Sequence, residues 1–333
     1  MKGRIILQAS KKTELKSLTL IGKGRGKVSW TDVESYDETL FVCVCHQRAN
    51  EKYYTDKQDI LRDGPEIITK GRHEFPFVYK IPERYSYSSR MLSGHLPGFL
   101  LCRSMPSSFE RKNCRIVHQI KAELKECMKL TKTTRVPFTF VSKADMSIPG
   151  LMEPRYGFSH KRLIVTGSGF TTMAVHTRSM GYWQGEDLHV KVEINNQSSR
   201  DLKPKFVLYE RLCFFAQDRS KCCMTEISKE KGEDIASHCK DTVMKVFTIP
   251  KDLPSSILNC SIMSLKYILK IYLDIKYAVD PKMELPIIVL PAFDRPVAFG
   301  FDKSENLNQM TWSKTPLQPL DVPPQYEADE CNN

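Results

Sequence analysis

Pro323, Pro324 and Tyr326 form a Pro-Pro-Gln-Tyr string whose residue types and spacing specify a ligand. Proline fixes φ near the polyproline II value, so two in a row pre-order the backbone. That helix has three residues per turn, which places Tyr326 on the same face as Pro323. The shape fits the aromatic grooves of WW domains. The surrounding stretch, 315–330, is rich in proline and acid and has no hydrophobic period, so the motif is open to a partner.

Other reactive residues are not arranged for chemistry. The 11 cysteines are irregularly spaced, with no CxxC pair and no knuckle spacing, and read as buried or surface thiols. Cys43 and Cys45 fall two apart, as on one strand face, and Cys222-Cys223 is a vicinal pair in a loop-like segment. No metal site, cofactor site or catalytic constellation is expected: the eight histidines are scattered, without an HExxH. Gly22-Lys-Gly-Arg-Gly-Lys27 lacks the Walker spacing and precedes Val28-Ser-Trp30, so it reads as a glycine-eased strand or bulge. Gly167-Ser168-Gly169 is too short for a nucleophile elbow. His118 lies on an apolar strand face and reads as a packed core histidine. Cys239, beside His238 and Lys240, is a candidate reactive thiol; an ordinary loop cysteine is the favoured reading.

The net charge of +11 admits three readings. Lys11, Lys12, Lys16, Lys23, Arg25 and Lys27 are interleaved with strand-like residues, which suits a solvated basic sheet edge first. Weak contact with an anionic membrane surface comes next. Nucleic acid is not expected. No leader is visible at the start, and no apolar run approaches the roughly 20 residues that span a bilayer. The expectation is a soluble, cytoplasmic chain.

The elements that carry these residues are strands. Leu188, Val190, Val192 and Ile194 alternate with His189, Lys191 and Glu193. Met263 to Tyr277 repeats the pattern over a longer run, and Ile116, Ile120, Ala122 and Leu124 share a face within 115–124. Period-2 alternation means half-buried antiparallel sheet. Turn signals, among them Asp63-Gly64-Pro65, Gly181, Gly185 and Asn195-Asn196, punctuate the runs. The fold class is all-β, as β-sandwiches. The chain also repeats itself. Met105-Pro-Ser-Ser-Phe109, Asn113-Cys114 and Val136–Val141 match Leu253-Pro-Ser-Ser-Ile257, Asn259-Cys260 and Leu285–Leu290 in order. Two sandwiches in tandem explain this: domain one at 1–147, domain two at 148–295, and a disordered tail at 296–333. In the first copy 22 residues, Glu83–Ser104, stand where the second has two, so that segment reads as an inserted, poorly ordered surface loop.

Tandem sandwiches, these Pro-Ser-Ser turns and a C-terminal PPxY together resemble the arrestin domain-containing proteins, the α-arrestins. Gly181-Tyr-Trp-Gln-Gly-Glu186, Ile194-Asn-Asn-Gln-Ser-Ser-Arg200, Gly26-Lys-Val-Ser-Trp30 and Ser107-Ser-Phe-Glu110 are similar to strings of that family. The resemblance covers almost the whole chain and implies arrestin-like, immunoglobulin-type sandwiches. It also implies an adaptor without an active site. The body would bind cytoplasmic regions of membrane receptors and transporters. Pro323, Pro324 and Tyr326 would recruit a HECT-type E3 ubiquitin ligase through its WW domains. Cargo would then be ubiquitinated, endocytosed and sorted at plasma membrane and endosomes. The alternative is a ubiquitin-independent, retromer-like scaffold or a non-functional isoform. Three departures from the family pattern stand out: a missing first strand, the 83–104 insert, and one PPxY where relatives often carry two. They imply a less stable first domain and weaker ligase recruitment.

Overall fold

Gly22-Lys-Gly-Arg-Gly-Lys27 shows how sequence becomes layer here. In the computed structural model it lies in a strand, so its glycines point to one face and its cations to the other. The structure describes residues 1–35, 42–61, 65–88, 100–162, 169–275 and 280–295. Pro323, Pro324, Tyr326 and Tyr277 lie outside them.

The first half contains β1 (Lys2–Ala9), β2 (Thr13–Ser35), β3 (Val42–Asp59), β4 (Glu66–Ile68), β5 (Gly71–Val78), β6 (Arg84–Ser88), β7 (Leu100–Ser104), β8 (Phe109–Arg111), β9 (Cys114–Glu126) and β10 (Lys132–Phe138). A six-stranded sheet runs β10-β9-β2-β3, with β4 paired to β2 and β8 to β9. A two-stranded sheet, β1-β5, faces it: Ile5, Leu7 and Phe75 pack on Leu15, Leu18, Ile68 and Leu124. The second half contains β11 (Arg155–Arg162), β12 (Phe170–Thr177), β13 (Gly181–Trp183), β14 (Asp187–Gln197), β15 (Lys203–Ala216), β16 (Arg219–Lys231), β17 (Lys240–Thr248), β18 (Met263–Asp274) and β19 (Lys282–Leu290). Here a four-stranded sheet, β11-β12-β14-β17, covers a five-stranded one, β13-β19-β18-β15-β16. The chain is therefore all-β, with two β-sandwiches and a single short 3-10 turn, Ala292–Asp294, among the described residues.

The alternating runs are the core. Leu188, Val190, Val192 and Ile194 are buried, and so is every second residue of β18 from Met263 to Leu273. Burial of each such side chain stabilises by about 1.5–3 kcal/mol. The glycines of β2 serve the same end differently. A Cβ on Gly22 would come 1.9 Å from the Tyr79 hydroxyl, on Gly24 2.3 Å from the Tyr54 ring, and on Gly26 2.3 Å from the Tyr53 hydroxyl. The inner face of β2 is thus a bed for three tyrosines. The register slips between Gly24 and Arg25, so strand and bulge coexist there.

The repeat is visible in atoms. Ser108 accepts the Phe140 N–H at 3.0 Å, and its own N–H reaches the Phe140 carbonyl at 2.8 Å. Ser256 treats Val289 identically, at 3.0 and 2.9 Å. The carbonyl of each turn's proline meets a buried ring: Pro106 O lies 3.0 Å from His118 Nε2, and Tyr267 donates to Pro254 O at 2.6 Å.

Three readings change. The described arms of the 83–104 segment are strands: β6 and β7 pair from Arg84↔Ser104 to Ser88↔Leu100. Tyr85 is buried in the core rather than looped out, because its ring packs edge-on to Tyr53. Cys222 and Cys223 lie in β16, where Cys222 sits opposite Cys213 of β15 and is bonded to it as a disulfide, so Cys213 and Cys222 are not free thiols while Cys223 is. Asn195-Asn196 is the end of β14 and not the turn itself. Buried Asn196 instead organises the turn that follows, donating to the carbonyls of Arg200 and Ala236 at 2.8 and 2.9 Å.

Candidate functional site

Where the two sandwiches meet, the sequence places a carboxylate that no alternation explains. Around Glu51, β3 carries the strand side of the Gly24/Arg25 slip, and Glu51 falls opposite Gly26 on the inner face. It is 9% exposed. A buried carboxylate demands donors, and the second half provides them. The Ser261 N–H donates to Glu51 Oε2 at 2.9 Å and the Cys260 thiol at 3.2 Å. From the first half, the Tyr85 hydroxyl lies 3.0 Å from Glu51 Oε1 and 2.7 Å from the Asn259 carbonyl, one proton between two acceptors. Tyr53 donates to the Cys260 sulfur at 3.3 Å, and Asn259 Nδ2 to the Ser104 carbonyl at 2.9 Å. Burial, then the nearby carboxylate, pushes the Cys260 thiol up to about 12, so it stays protonated and donates. Burial also raises Tyr85 and Tyr53 well above the ordinary phenol range. The knot is a cage of neutral donors around one carboxyl group, tying β3 and β6 to the Asn259–Ser261 turn.

Beside the knot a cleft of about 840 Å3 opens between the halves. Arg84, Arg103 and Lys143 bring positive charge to it, Glu83 and Asp145 negative. The copies of the repeat meet in its wall, Ser107 from the first and Ser255 and Ser256 from the second. The Ser107 and Ser256 hydroxyls are committed to backbone: Ser107 accepts from the Ser142 N–H at 2.9 Å and Ser256 from the Val289 N–H at 3.0 Å. No histidine is in the described lining. The cleft is suited to holding a polar segment of another molecule.

The other singled-out residues are dispersed. His118 is fully buried, with Nδ1 3.4 Å from the Tyr54 hydroxyl and rings of Tyr53, Tyr54, Phe138 and Phe140 around it. If Nε2 donates to Pro106 O, Nδ1 accepts from Tyr54, which is one neutral tautomer. Cys239 is exposed, and Cys45 stands two positions from Cys43 in β3. Among the described residues no group of three His, Cys, Asp or Glu is placed to hold a metal, and no helix is long and apolar enough to cross a membrane. Pro323, Pro324 and Tyr326 lie outside the described residues. The Glu51 knot was missed by sequence reasoning. Its one signal was an acid, Glu51, directly followed by Lys52 and the pair Tyr53-Tyr54 in a run with no clean alternation.

Two family models match the chain: the arrestin (or S-antigen) N-terminal domain over residues 1–96 and the arrestin (or S-antigen) C-terminal domain over 168–292. Together they cover more than half of it. Human arrestin domain-containing protein 4 is 26% identical over 298 residues, 86% of this chain and 66% of that protein. Human thioredoxin-interacting protein is 23% identical over 333 residues, 99% of this chain and 78% of that protein. The chain thus spans just under two thirds of the first relative's length.

Proposed function

The chain belongs to the arrestin-domain family, and from that premise we propose that it is a trafficking adaptor, joining membrane-protein cargo to HECT-type E3 ubiquitin ligases. Pro323, Pro324 and Tyr326 dock in the ligase's WW domains, and the sandwiches hold the cytoplasmic regions of receptors or transporters. The observation that carries this reading is the PPxY string behind two arrestin sandwiches. Proline pairs recognised in aromatic grooves need no folded scaffold of their own, which suits a motif in an aperiodic stretch. The adaptor acts at the plasma membrane and on endosomes, and ligation of ubiquitin is performed by the recruited enzyme.

The test is a titration of the full chain, wild type and Tyr326→Ala, against tandem WW domains of a HECT ligase. Binding at roughly micromolar affinity, lost in the variant, is expected. Phosphorylation of Tyr326 adds nearly two negative charges to the ring that enters the groove and should abolish docking too. Binding indifferent to Tyr326 would leave an arrestin-fold scaffold that works without ubiquitin.

A further inference from the structure

The outward face of the six-stranded sheet is a block of positive charge. Between its glycines β2 presents Lys23, Arg25 and Lys27 outward, with Ile21 before them. Pairing fixes their neighbours. Arg25 lies between Lys52 of β3 and Val117 of β9, and Lys27 between Asn50 and Arg115. Lys23 lies between Thr55 and Gln119, and Ile21 between Lys57 and Lys121. Leaving out Ile21, which is buried, these eleven outward positions on three adjacent strands hold seven Lys or Arg and no acidic or aromatic residue. Arg135 of β10 extends the block beside Lys121. Carboxylates border it: Glu123, paired to Lys121, and Asp59 in the next row, and Glu110 opposite Arg115. Among the described residues none of the other six cations is in an ion pair.

Sheet stability does not ask for this. Like charges directly opposite, such as Arg25 and Lys52 or Lys27 and Arg115, destabilise a pair of strands. Three strands about 4.8 Å apart and seven residues of about 3.3 Å make a patch of about 10 by 20 Å. All of its charges therefore lie within about one or two Debye lengths of each other and act together.

We propose that this face docks on anionic lipid headgroups of a membrane. The block spreads its cations in rows over three adjacent strands, so it matches a planar array of anions and not one small polyanion. It has no aromatic ring on which a base could stack, the usual platform for single-stranded nucleic acid. No large apolar side chain stands proud of the block, so attachment is electrostatic, reversible and salt-dependent. The inference is independent of the PPxY reading, since none of its residues lies in that stretch.

The experiment is co-sedimentation of the full chain with vesicles of phosphatidylcholine alone or with 30% phosphatidylserine. Wild type should bind only the anionic vesicles and come off as salt is raised. Lys23→Gln, Arg25→Gln and Lys27→Gln together should lower the partition coefficient on the order of a hundredfold. An equal charge change on the second sandwich, Lys240→Gln, Lys251→Gln and Lys266→Gln, should move it only a few fold. Both variants keep strand-compatible side chains, and thermal melts establish that they fold. Tyr326→Ala should leave vesicle binding unchanged. The proposal is overturned if wild type ignores anionic vesicles, if the β2 variant binds as wild type does, or if both triple variants lose binding equally. It is overturned in favour of nucleic acid if an RNA oligomer competes the chain off vesicles and shows the same dependence on β2.

Discussion

In the second sandwich a four-stranded sheet faces a five-stranded one, and β18 buries a large apolar side chain at every other position from Met263 to Leu273. In the first, six strands are faced by two, whose inward residues Gly3, Ile5, Leu7, His73, Phe75 and Phe77 are only half-buried. The space there is filled by Tyr53, Tyr54, Tyr79, Tyr85 and His118 lying over glycines and around one carboxylate. One sandwich is held by apolar area, which tolerates little loss of volume. The other is held by ring shape and hydrogen bonds, which tolerate little gain of volume or change of protonation. The adaptable, charged half is also the half that offers the basic face.

The largest contrast should come from truncating the apolar half. Leu269 is fully buried in the middle of β18, between Leu208 of β15 and Leu285 of β19. Leu269→Ala removes buried methyl groups and leaves a cavity, so a loss of about 2–5 kcal/mol is expected in chemical denaturation. A loss below about 1 kcal/mol would mean that the second sandwich is as loosely filled as the first. Next, Glu51→Ala strips the acceptor from the Ser261 N–H and the Cys260 thiol, and each orphaned buried donor costs about 1–3 kcal/mol. Because the knot joins the halves, calorimetry should also show one transition splitting into two, the first sandwich melting earlier. An unsplit transition would move the coupling elsewhere, for instance to the Ala144 N–H bond to Asp294 at 2.8 Å. Third, Gly24→Ala drives a methyl group into the Tyr54 ring and should cost about 1–3 kcal/mol by overpacking. In the basic-bed comparison its outward neighbour is the control: Lys23→Ala should change stability by less than about 0.5 kcal/mol.

The second sandwich was legible in the sequence because its strands are half-buried and regular. Leu188–Ile194 and Met263–Leu273 announce their faces by alternation alone, and the Pro-Ser-Ser turns announce the repeat. The first was legible only in part. Lys23, Arg25 and Lys27 show a cationic face of one strand, but their neighbours Lys52, Arg115 and Lys57 come from β3 and β9, and register across strands is not written in either strand alone. The bulge at Gly24/Arg25 hides Glu51, since it puts both Tyr53 and Tyr54 inside and breaks the period that would have assigned a face to the acid. The 83–104 segment misled for a similar reason. Its serines and tyrosines suggest a solvated loop, yet one ring, Tyr85, is recruited as filler by a sandwich short of apolar cover.

The smallest effect expected is a pH dependence from two histidines that burial holds low, His118 in the first sandwich and His176 in the second. Burial holds His118 below its ordinary value of 6.5, so it is neutral in the folded chain. In the unfolded chain it takes up a proton as pH falls below 6.5. The unfolded state then binds more protons, and stability drops with pH. Its contribution is complete above pH 6.5 and is lost as pH falls from there toward the lower folded value, with a slope of at most about 1.4 kcal/mol per pH unit. Glu123 and Glu126, held by lysine partners below the ordinary 4.5, lose their contribution only in the more acid window beneath it. Melts between pH 6.5 and 4.5 therefore report the two histidines, and the difference between wild type and a His118 variant isolates His118. His118→Gln keeps a donor for Pro106 O but does not titrate, so its melting temperature should decline less across that window than that of the wild type. The residues of β18, by contrast, carry no ionisable group on their buried face other than Tyr267, raised by burial far beyond the range where it could lose a proton. If His118→Gln declined as steeply as the wild type over that window, the assignment of the first sandwich's proton sensitivity to its ring-filled core would fail.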